Sequence, residues 1–309
     1  MINKKVSIII PVYNSQETIS RCLDTILNQT YKNIEIVIVD DGSTDESYSL
    51  IKLKINNDPR IKLIKKKNTG VSDSRNYALQ IVTGEYITFV DSDDWIELNL
   101  IEKMVETLER EKVDIVCCNY YLNYKDNRQR KVERKESKID KLEALNPSSK
   151  YYFTTVWGKL FKKNIINDLQ FRTDIFYSED TLFYIQTLMN SNSIYWVKEI
   201  LYHYYVNENG AIKNKKNEKF ITDFYARKEI YDLYKIEISN KKLHNKAKIY
   251  AMYSAINVLY EYNNDKVIDD IKLNEIKGFI KQCNIIEYLL SDFISIKDKI
   301  KLFIITGNI

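Results

Sequence analysis

Apolar residues in the first part of the chain fall into short unbroken runs: VSIII (6–10), IEIVIV (34–39), IKLI (61–64) and YITFV (86–90). A run that is apolar at nearly every position marks a strand covered on both faces. Between the runs the period changes. Ile19, Cys22, Leu23, Ile26 and Leu27 recur at three and four, which makes one stripe of a helix. Asn14 with Glu17, and Ser43 with Glu46, have the spacing of capping boxes, so helices are expected to open there. Asn68, Thr69 and Gly70 turn the chain into a third helix through Ala78 and Leu79, which Thr83 and Gly84 end. A fourth helix is expected from about Glu97 to Arg110, followed by the strand DIVCCNYY (114–121).

Strands that alternate with helices imply right-handed crossovers and a mostly parallel sheet flanked by helices, an α/β fold. Ligands of such sheets bind at the carboxyl ends of the strands. Those ends read PVYN, DDGS, KKKNTG and DSDD. Polar and acidic residues therefore gather where the topology expects a ligand.

After Lys125 the pattern loosens into a charged surface loop or hairpin, then FTTVWGKLFKKNII (153–166), FYSEDTLFYIQTLM (176–189) and a strand-like IYWVKEILYHYYV (194–206). From about Glu218 onward, Tyr, Ile and Leu recur at helical spacing. The expected organisation is an α/β domain over residues 1–212 and a helical region over 213–309.

Composition narrows the classes. A net charge of +4 on 309 residues does not call for a nucleic-acid partner, and none is expected. Basic residues cluster at 125–141 and 213–219, as solvated loops or as contacts for a phosphate group or an anionic membrane. Cys22, Cys117, Cys118 and Cys283 lack CxxC spacing, so buried, reduced thiols in a cytoplasmic protein are expected rather than a disulfide framework or zinc site. Val6–Ile10 is too short for a signal peptide, and no run has transmembrane length.

The dinucleotide motif GxGxxG and the P-loop are absent. The stretch ITFVDSDDW (87–95) crowds Asp91, Asp93 and Asp94 at a strand end. On extended backbone Asp91 and Asp93 share a side, and hard carboxylate oxygens suit Mg²⁺ or Mn²⁺. A bound cation would remove their mutual repulsion. The plainer alternative is a helix start, with Asp93 or Asp94 as its cap.

PVYN (11–14), QTYxNIE (29–35), VDDGSTD (39–45), NTGVSxSRN (68–76), GEYIxFxDSDD (84–94), WGKLF (157–161) and Glu179–Asp180 follow one another in this order. Over residues 5 to 210 the set resembles the family-2 inverting glycosyltransferases with the glycosyltransferase-A fold. That resemblance implies a nucleoside pocket lined by Pro11, Val12, Tyr13, Asp40 and Asp41, in which a carboxylate accepts the uracil N3–H. It implies secondary donor contacts from Gly70, Ser74 and Arg75, donor binding by Asp91 and Ser92, and a divalent metal on Asp93 with Asp91. It assigns the base that takes the acceptor's proton to Asp180, with Glu179 second. The bland readings are a turn role for Asp41, an ion pair for Arg75, and helix-dipole complements for Glu179 and Asp180. Trp157 is either a sugar platform or core.

One position departs from the family pattern. Tyr205 stands where a basic residue is common, which leaves His203 as a metal or phosphate ligand and Lys213, Lys215 or Lys216 as substitutes on a closing loop. The expected partners are a UDP-sugar and a glycan or lipid-linked glycan acceptor of a bacterial surface polymer (capsule, lipopolysaccharide or teichoic acid). Peripheral contact with the inner membrane face through the closing stretch 297–309, and self-association through the C-terminal helices, belong to the same expectation. A non-catalytic nucleotide-sugar binder is the competing class. A nucleotidyltransferase would need a Gly-rich basic loop where PVYNSQET stands.

Overall fold

The computed structural model describes residues 3–207, 218–262 and 270–305. The chain divides into two units. One holds Met1–Lys141, Thr155–Thr173 and Gln186–Asn207; the other holds Leu142–Thr154, Asp174–Ile185 and Glu208–Ile309. The boundary expected at residue 212 lies outside the described residues. The helical unit also takes two earlier stretches that the sequence pattern had left with the α/β part.

The first unit is built on one mixed sheet. Its strands are β1 (Val6–Val12), β2 (Ile34–Asp40), β3 (Ile61–Lys65), β4 (Tyr86–Phe89), β5 (Trp95–Ile96), β6 (Ile115–Tyr124), β7 (Gln129–Val132), β8 (Ser137–Asp140), β9 (Lys159–Lys162) and β10 (Ser193–Val206). Their order is β3-β2-β1-β4-β9-β6-β10-β5, with β7 on β6 and β8 on β10. The four strands β3-β2-β1-β4 are parallel. Antiparallel β9 joins them to the parallel pair β6 and β10. β1 and β2 are buried at every position, as their unbroken apolar runs require. The basic stretch 125–141 forms the largely exposed β7 and then β8, in which Ile139 is buried.

Register fixes the site. Val12 pairs with Asp40, and Ile9 pairs with Phe89. The segments PVYN, DDGS and DSDD therefore leave one edge of the sheet together. Chain order reverses beside β1, between β2 and β4, which is where ligands of open α/β sheets bind.

The intervening helices are α1 (Ile19–Leu27), α2 (Ser47–Ile55), α3 (Val71–Ile81) and α4 (Leu100–Glu111). Ile19, Cys22, Leu23 and Ile26 are the buried stripe of α1, as expected. Both capping boxes are not formed. Asn14 has φ 48° and its Oδ1 accepts the Thr44 N–H, while the N-cap of α1 is Thr18. Ser43 Oγ accepts the Asn14 N–H, and Ser47 Oγ accepts the Ser15 N–H. The same short polar side chains that could cap a helix here tie the β1–α1 loop to the β2–α2 loop. Spacing cannot distinguish the two uses, because both satisfy a backbone donor.

Glu35 is a charged residue inside the sheet. Its Oε1 accepts hydrogen bonds from Ser7 Oγ (2.6 Å), Gly84 N (3.0 Å) and Thr83 N (2.5 Å), and its Oε2 meets Lys62 Nζ at 3.3 Å. Burial resists ionisation, but these donors outweigh it and hold the carboxyl down at about 2. A Cβ on Gly84 would lie 2.5 Å from Ser7 Oγ and 2.8 Å from the Lys5 carbonyl oxygen. The Glu of QTYxNIE and the Gly of GEYI thus serve one buried turn.

Two short elements carry labels across the division: α5 (Lys141–Ala144) and α6 (Glu179–Asn190). The second unit continues with α7 (Ile221–Glu237), α8 (Lys241–Tyr262), α9 (Asp270–Lys281), α10 (Ile285–Leu290) and α11 (Ile296–Ile305). Phe224, Met252, Ile256, Ile276, Tyr288 and Leu302 are among its core. Among the described residues no helix is long and apolar enough to cross a membrane.

Candidate active site

The first acidic pair sits at the carboxyl end of β2. Asp40 is fully buried, and its Oδ1 accepts the Ser43 N–H at 3.3 Å. Its Oδ2 has no hydrogen-bond partner among the described residues. A buried acceptor without a donor is costly, and a ligand N–H is one way to satisfy it. Asp41 is occupied. Its Oδ1 accepts the Thr69 N–H (3.0 Å) and pairs with Lys66, and its Oδ2 accepts the Gly70 N–H (2.8 Å). Gly42 (φ 73°) and Gly70 (φ 101°) allow the two loops to approach. Asp41 thereby fixes the NTG turn to the DDGS turn, and Asp40 carries the open acceptor.

Pro11 and Val12 end β1 inside the core, while Tyr13 beyond them is 49% exposed. Ser74 is buried and its hydroxyl donates back to the Gly70 carbonyl, so it braces its own helix. Asn76 exchanges two hydrogen bonds with the backbone of Phe171, both 2.8 Å.

At the end of β4 the three aspartates have three different environments. Asp91 Oδ1 accepts a hydrogen bond from Arg75 Nη2 at 2.9 Å. The Arg75 side chain is only 6% exposed while that of Asp91 is 27% exposed, so the pair joins a buried guanidinium to a half-buried carboxylate. No donor from another described residue reaches the Asp93 carboxylate. Burial and the neighbouring Asp91 push its pKa up to about 6. Asp94 is fully buried; its Oδ2 accepts the Tyr202 hydroxyl at 2.6 Å and its Oδ1 accepts the Tyr205 N–H at 2.7 Å. Burial, then Asp93 and Asp91, raise its pKa well above the usual carboxylate range.

Neither Asp93 nor Asp94 caps a helix. The chain after them pairs as β5, and α4 opens at Leu100 with Asn99 as N-cap. Asp94 is instead a pin between the DSDD turn and β10. The signal was spatial, since Tyr202 and Tyr205 lie over a hundred positions away in sequence.

Ser92 Oγ lies 2.7 Å from Ser15 Oγ, and the Ser92 carbonyl accepts from Thr18 Oγ1. The DSDD turn is thus laced to the start of α1. Sequence reasoning missed Arg21 here. Its guanidinium carbon stands 3.7 Å from the Trp95 ring centroid, and Nη2 donates to the Asp93 carbonyl at 3.0 Å. The same group lies 5.2 Å from the Tyr205 ring. Arg21 therefore puts a fixed positive charge beside the acidic turn, close to the position where the sequence lacks a basic residue. Only its place off the apolar stripe of α1 hinted at a role.

His203 is stacked on Trp95 (4.8 Å) and Tyr121 (5.1 Å), with Nε2 2.9 Å from Glu97 Oε1. Its Nδ1 has no hydrogen-bond partner among the described residues. No group of three His, Cys, Asp or Glu side chains among those residues is arranged to hold a metal. The chemistry of Asp93 still fits a hard cation: a carboxylate lacking a donor, beside a second carboxylate, with substrate phosphates to complete the shell. Trp157 stacks on Tyr202 (4.7 Å) and Tyr204 (5.2 Å) and is 6% exposed, so it packs as core. The substitutes Lys213, Lys215 and Lys216 lie outside the described residues.

Glu179 and Asp180 open α6 within the second unit. Asp180 Oδ1 accepts the Thr181 N–H at 2.7 Å. Ser178, just before, has φ 65°, a strained value for a non-glycine residue. Its Oγ donates to Asp223 of α7, and Arg227 Nη2 donates to that Oγ at 3.3 Å.

The sequence profile described as "Glycosyl transferase family 2" matches residues 7–170. This chain belongs to that family. Among family-2 relatives, it is 33% identical over 232 residues to glycosyltransferase GlyA of Streptococcus pneumoniae, covering 72% of this chain and 33% of GlyA. This chain therefore spans a third of that relative's length. It is 32% identical over 242 residues to the poly(ribitol-phosphate) beta-N-acetylglucosaminyltransferase TarP of Staphylococcus aureus, covering 74% of this chain and 72% of TarP. The fold matches S. aureus TarS 1–349 in complex with UDP-GlcNAc, with a TM-score of 0.63 at 17% identity over 90% of this chain and 92% of that one. It also matches the mannosyltransferase PcManGT from Pyrobaculum calidifontis in complex with GDP-Man and Mn²⁺, with a TM-score of 0.56 at 17% identity over 94% of this chain and 88% of that one. The family-2 chain accordingly has the glycosyltransferase-A fold.

Proposed function

We propose that this chain is an inverting glycosyltransferase that moves a sugar from a UDP-sugar to a hydroxyl of a glycan acceptor in bacterial surface-polymer synthesis. The carrying observation is the acidic edge of the sheet. Asp40 has an open buried acceptor at the end of β2, and Asp91 and Asp93 follow β4 at the same end of the same parallel group, in a family-2 chain. Asp40 accepts the uracil N3–H, and Tyr13 covers the base. Asp91, oriented by Arg75, and Asp93 hold Mn²⁺ or Mg²⁺. When bound, the cation stabilises the negative charge of the departing diphosphate. Arg21 adds a fixed positive charge beside it.

Asp180 takes the proton of the acceptor hydroxyl as that oxygen bonds to the sugar C1. The bond from C1 to the diphosphate oxygen breaks, and its electron pair leaves with UDP. Glu179 is the second candidate for the base. The complexes of the structural relatives with UDP-GlcNAc and with Mn²⁺ support the donor class and the metal. The beta-N-acetylglucosaminyl product named for TarP supports inversion on a polyol-phosphate type of acceptor.

The α11 face supports contact with an anionic membrane carrying a lipid-linked acceptor. Ile296, Ile300, Phe303 and Ile304 are exposed at helical spacing, and Lys297 is exposed beside them. Self-association through the C-terminal helices is the alternative use of that face. The test is UDP release from a panel of nucleotide sugars with and without Mn²⁺. Metal-dependent release that Asp180→Ala abolishes supports the reading. Binding of a nucleotide sugar with no turnover leaves the non-catalytic binder, and no binding at all refutes both.

A further inference from the structure

The hairpin formed by β6 and β7 takes no part in the site described above, yet it concentrates charge. Lys125, Arg128, Arg130, Lys131, Arg134 and Lys135 stand there against two acids, Asp126 and Glu133. That excess of positive charge equals the +4 of the whole chain, so the hairpin is a local concentration and not a share of a basic background. Arg128 pairs with Asp126 at 2.6 Å. Lys125, Arg130 and Lys131 are exposed, and among the described residues they have no carboxylate partner. The hairpin is also held in shape. Asn127 turns it with φ 63°, and the Tyr124 N–H donates to the Arg128 carbonyl at 2.9 Å. Gln129 Nε2 donates to Asn123 Oδ1 at 2.8 Å, and the Asn119 side chain exchanges hydrogen bonds with the Arg134 backbone at 2.7 and 3.0 Å. Charges fixed on such a frame bind a ligand with little further loss of entropy.

Register ties this arm to the DSDD turn. Lys131 on β7, Tyr121 on β6, His203 on β10 and Trp95 on β5 are successive partners across four strands. Lys131 Nζ lies 6.0 Å from the Tyr121 ring, the ring stack runs on through His203 to Trp95, and Arg21 closes it beside the Asp93 carbonyl. Three strand spacings, about 14 Å, separate the ends of that row. In a neighbouring row Gln129, Asn123 and Tyr205 are partners, and the Tyr205 N–H is the one that Asp94 accepts. The strand that carries the arm is thus next to the strand that Asp94 pins. Among the described residues no large apolar side chain is exposed on the hairpin. It therefore lacks the apolar face that lies in a membrane surface, and a hydrophilic anion with several charges is the better fit.

We propose that the β6–β7 hairpin is an arm that binds a phosphate-bearing polymer acceptor, with Lys125, Arg130 and Lys131 holding its phosphate groups. The role as acceptor site rests on the glycosyltransferase reading; the binding of the polymer does not. The Arg130 guanidinium offers a planar fork to two phosphate oxygens, and the two lysines act as point charges. Each contact is exposed and weak alone. A polymer that repeats its phosphate engages several at once, so the contacts reinforce one another. The arm would hold the body of the chain while its reacting unit is at the acidic edge of the sheet.

The test is fluorescence anisotropy of labelled poly(glycerol phosphate) with the full chain, with labelled dextran as the neutral control. The parent should bind the phosphate polymer and not dextran at about 0.1 M salt, and should lose it at about 1 M, where the screening length is roughly 3 Å. Arg130→Gln combined with Lys131→Gln should raise the Kd about tenfold at the lower salt. Arg130→Lys combined with Lys131→Arg should stay near the parent. UDP affinity, which depends on none of the changed residues, reports that each variant is folded. Vesicles of equal parts phosphatidylglycerol and phosphatidylcholine supply the other anionic surface. No binding of the polymer by the parent, a Kd unchanged in the glutamine variant, or a loss of vesicle binding as large as the loss of polymer binding overturns the proposal. Polymer binding by a chain that binds no UDP or UDP-sugar would sink the glycosyltransferase reading and leave the polymer-binding arm standing.

Discussion

Replacing Glu35 by Gln removes one negative charge from the interior of the sheet and leaves its shape. The carboxylate holds Ser7, Thr83, Gly84 and Lys62, and its side chain is 4% exposed. These donors bring its pKa from 4.5 to about 2. At 1.36 kcal/mol per pH unit, that fall corresponds to about 3 kcal/mol of stability. Because the folded pKa is depressed, the contribution is complete above the unfolded value near 4.5. It is lost as pH falls through the window from there to about 2. Glutamine keeps one carbonyl acceptor but turns an NH₂ toward donors. At pH 7 Glu35→Gln should therefore unfold at roughly 3 kcal/mol lower stability, seen as a urea midpoint shift at unchanged slope. The gap should close steadily when the same titration is repeated from pH 5 down to pH 3. A gap under 0.5 kcal/mol at pH 7, or one that does not change with pH, would refute the reasoning.

Asp94→Asn should cost about 1–3 kcal/mol in thermal melts, because one of the Tyr202 and Tyr205 donors then faces an NH₂ group. A change below 0.5 kcal/mol would refute the role of Asp94 as the pin between the DSDD turn and β10. Gly84→Ala should destabilise by at least as much, since its Cβ would sit 2.5 Å from Ser7 Oγ, and a melting temperature equal to the parent's would contradict that. Asp93→Asn should abolish Mn²⁺-dependent UDP release while leaving the melting temperature unchanged or raised, because burial already disfavours its charge. Loss of stability with turnover intact would argue that Asp93 is structural.

The central sheet was legible because its signal is local. An unbroken apolar run followed by a helical stripe can bury its surface in few ways, so β1 to β4 and the helices between them follow from residues 6–110. The location of the acidic groups was legible for the same reason, as strand ends are read directly from the runs. Their individual duties were not. Asp40 and Asp41 are adjacent, yet one keeps an open oxygen and the other is saturated by Lys66, Thr69 and Gly70. Asp93 and Asp94 are adjacent too, and only the fold brings Tyr202 to one of them.

Pairs such as Glu35 with Gly84, Asn76 with Phe171, and Arg227 with Ser178 are separated by about fifty residues or more. No periodicity encodes them, and their hydrogen bonds form only after the strands and helices have packed. By itself, then, the sequence determined the α/β core, the helical remainder and the edge at which chemistry gathers, because hydrophobic period and turn chemistry act over a few residues. The tertiary structure decided which carboxylates are satisfied and which remain available, because donors and acceptors in a buried site are supplied by distant parts of the chain.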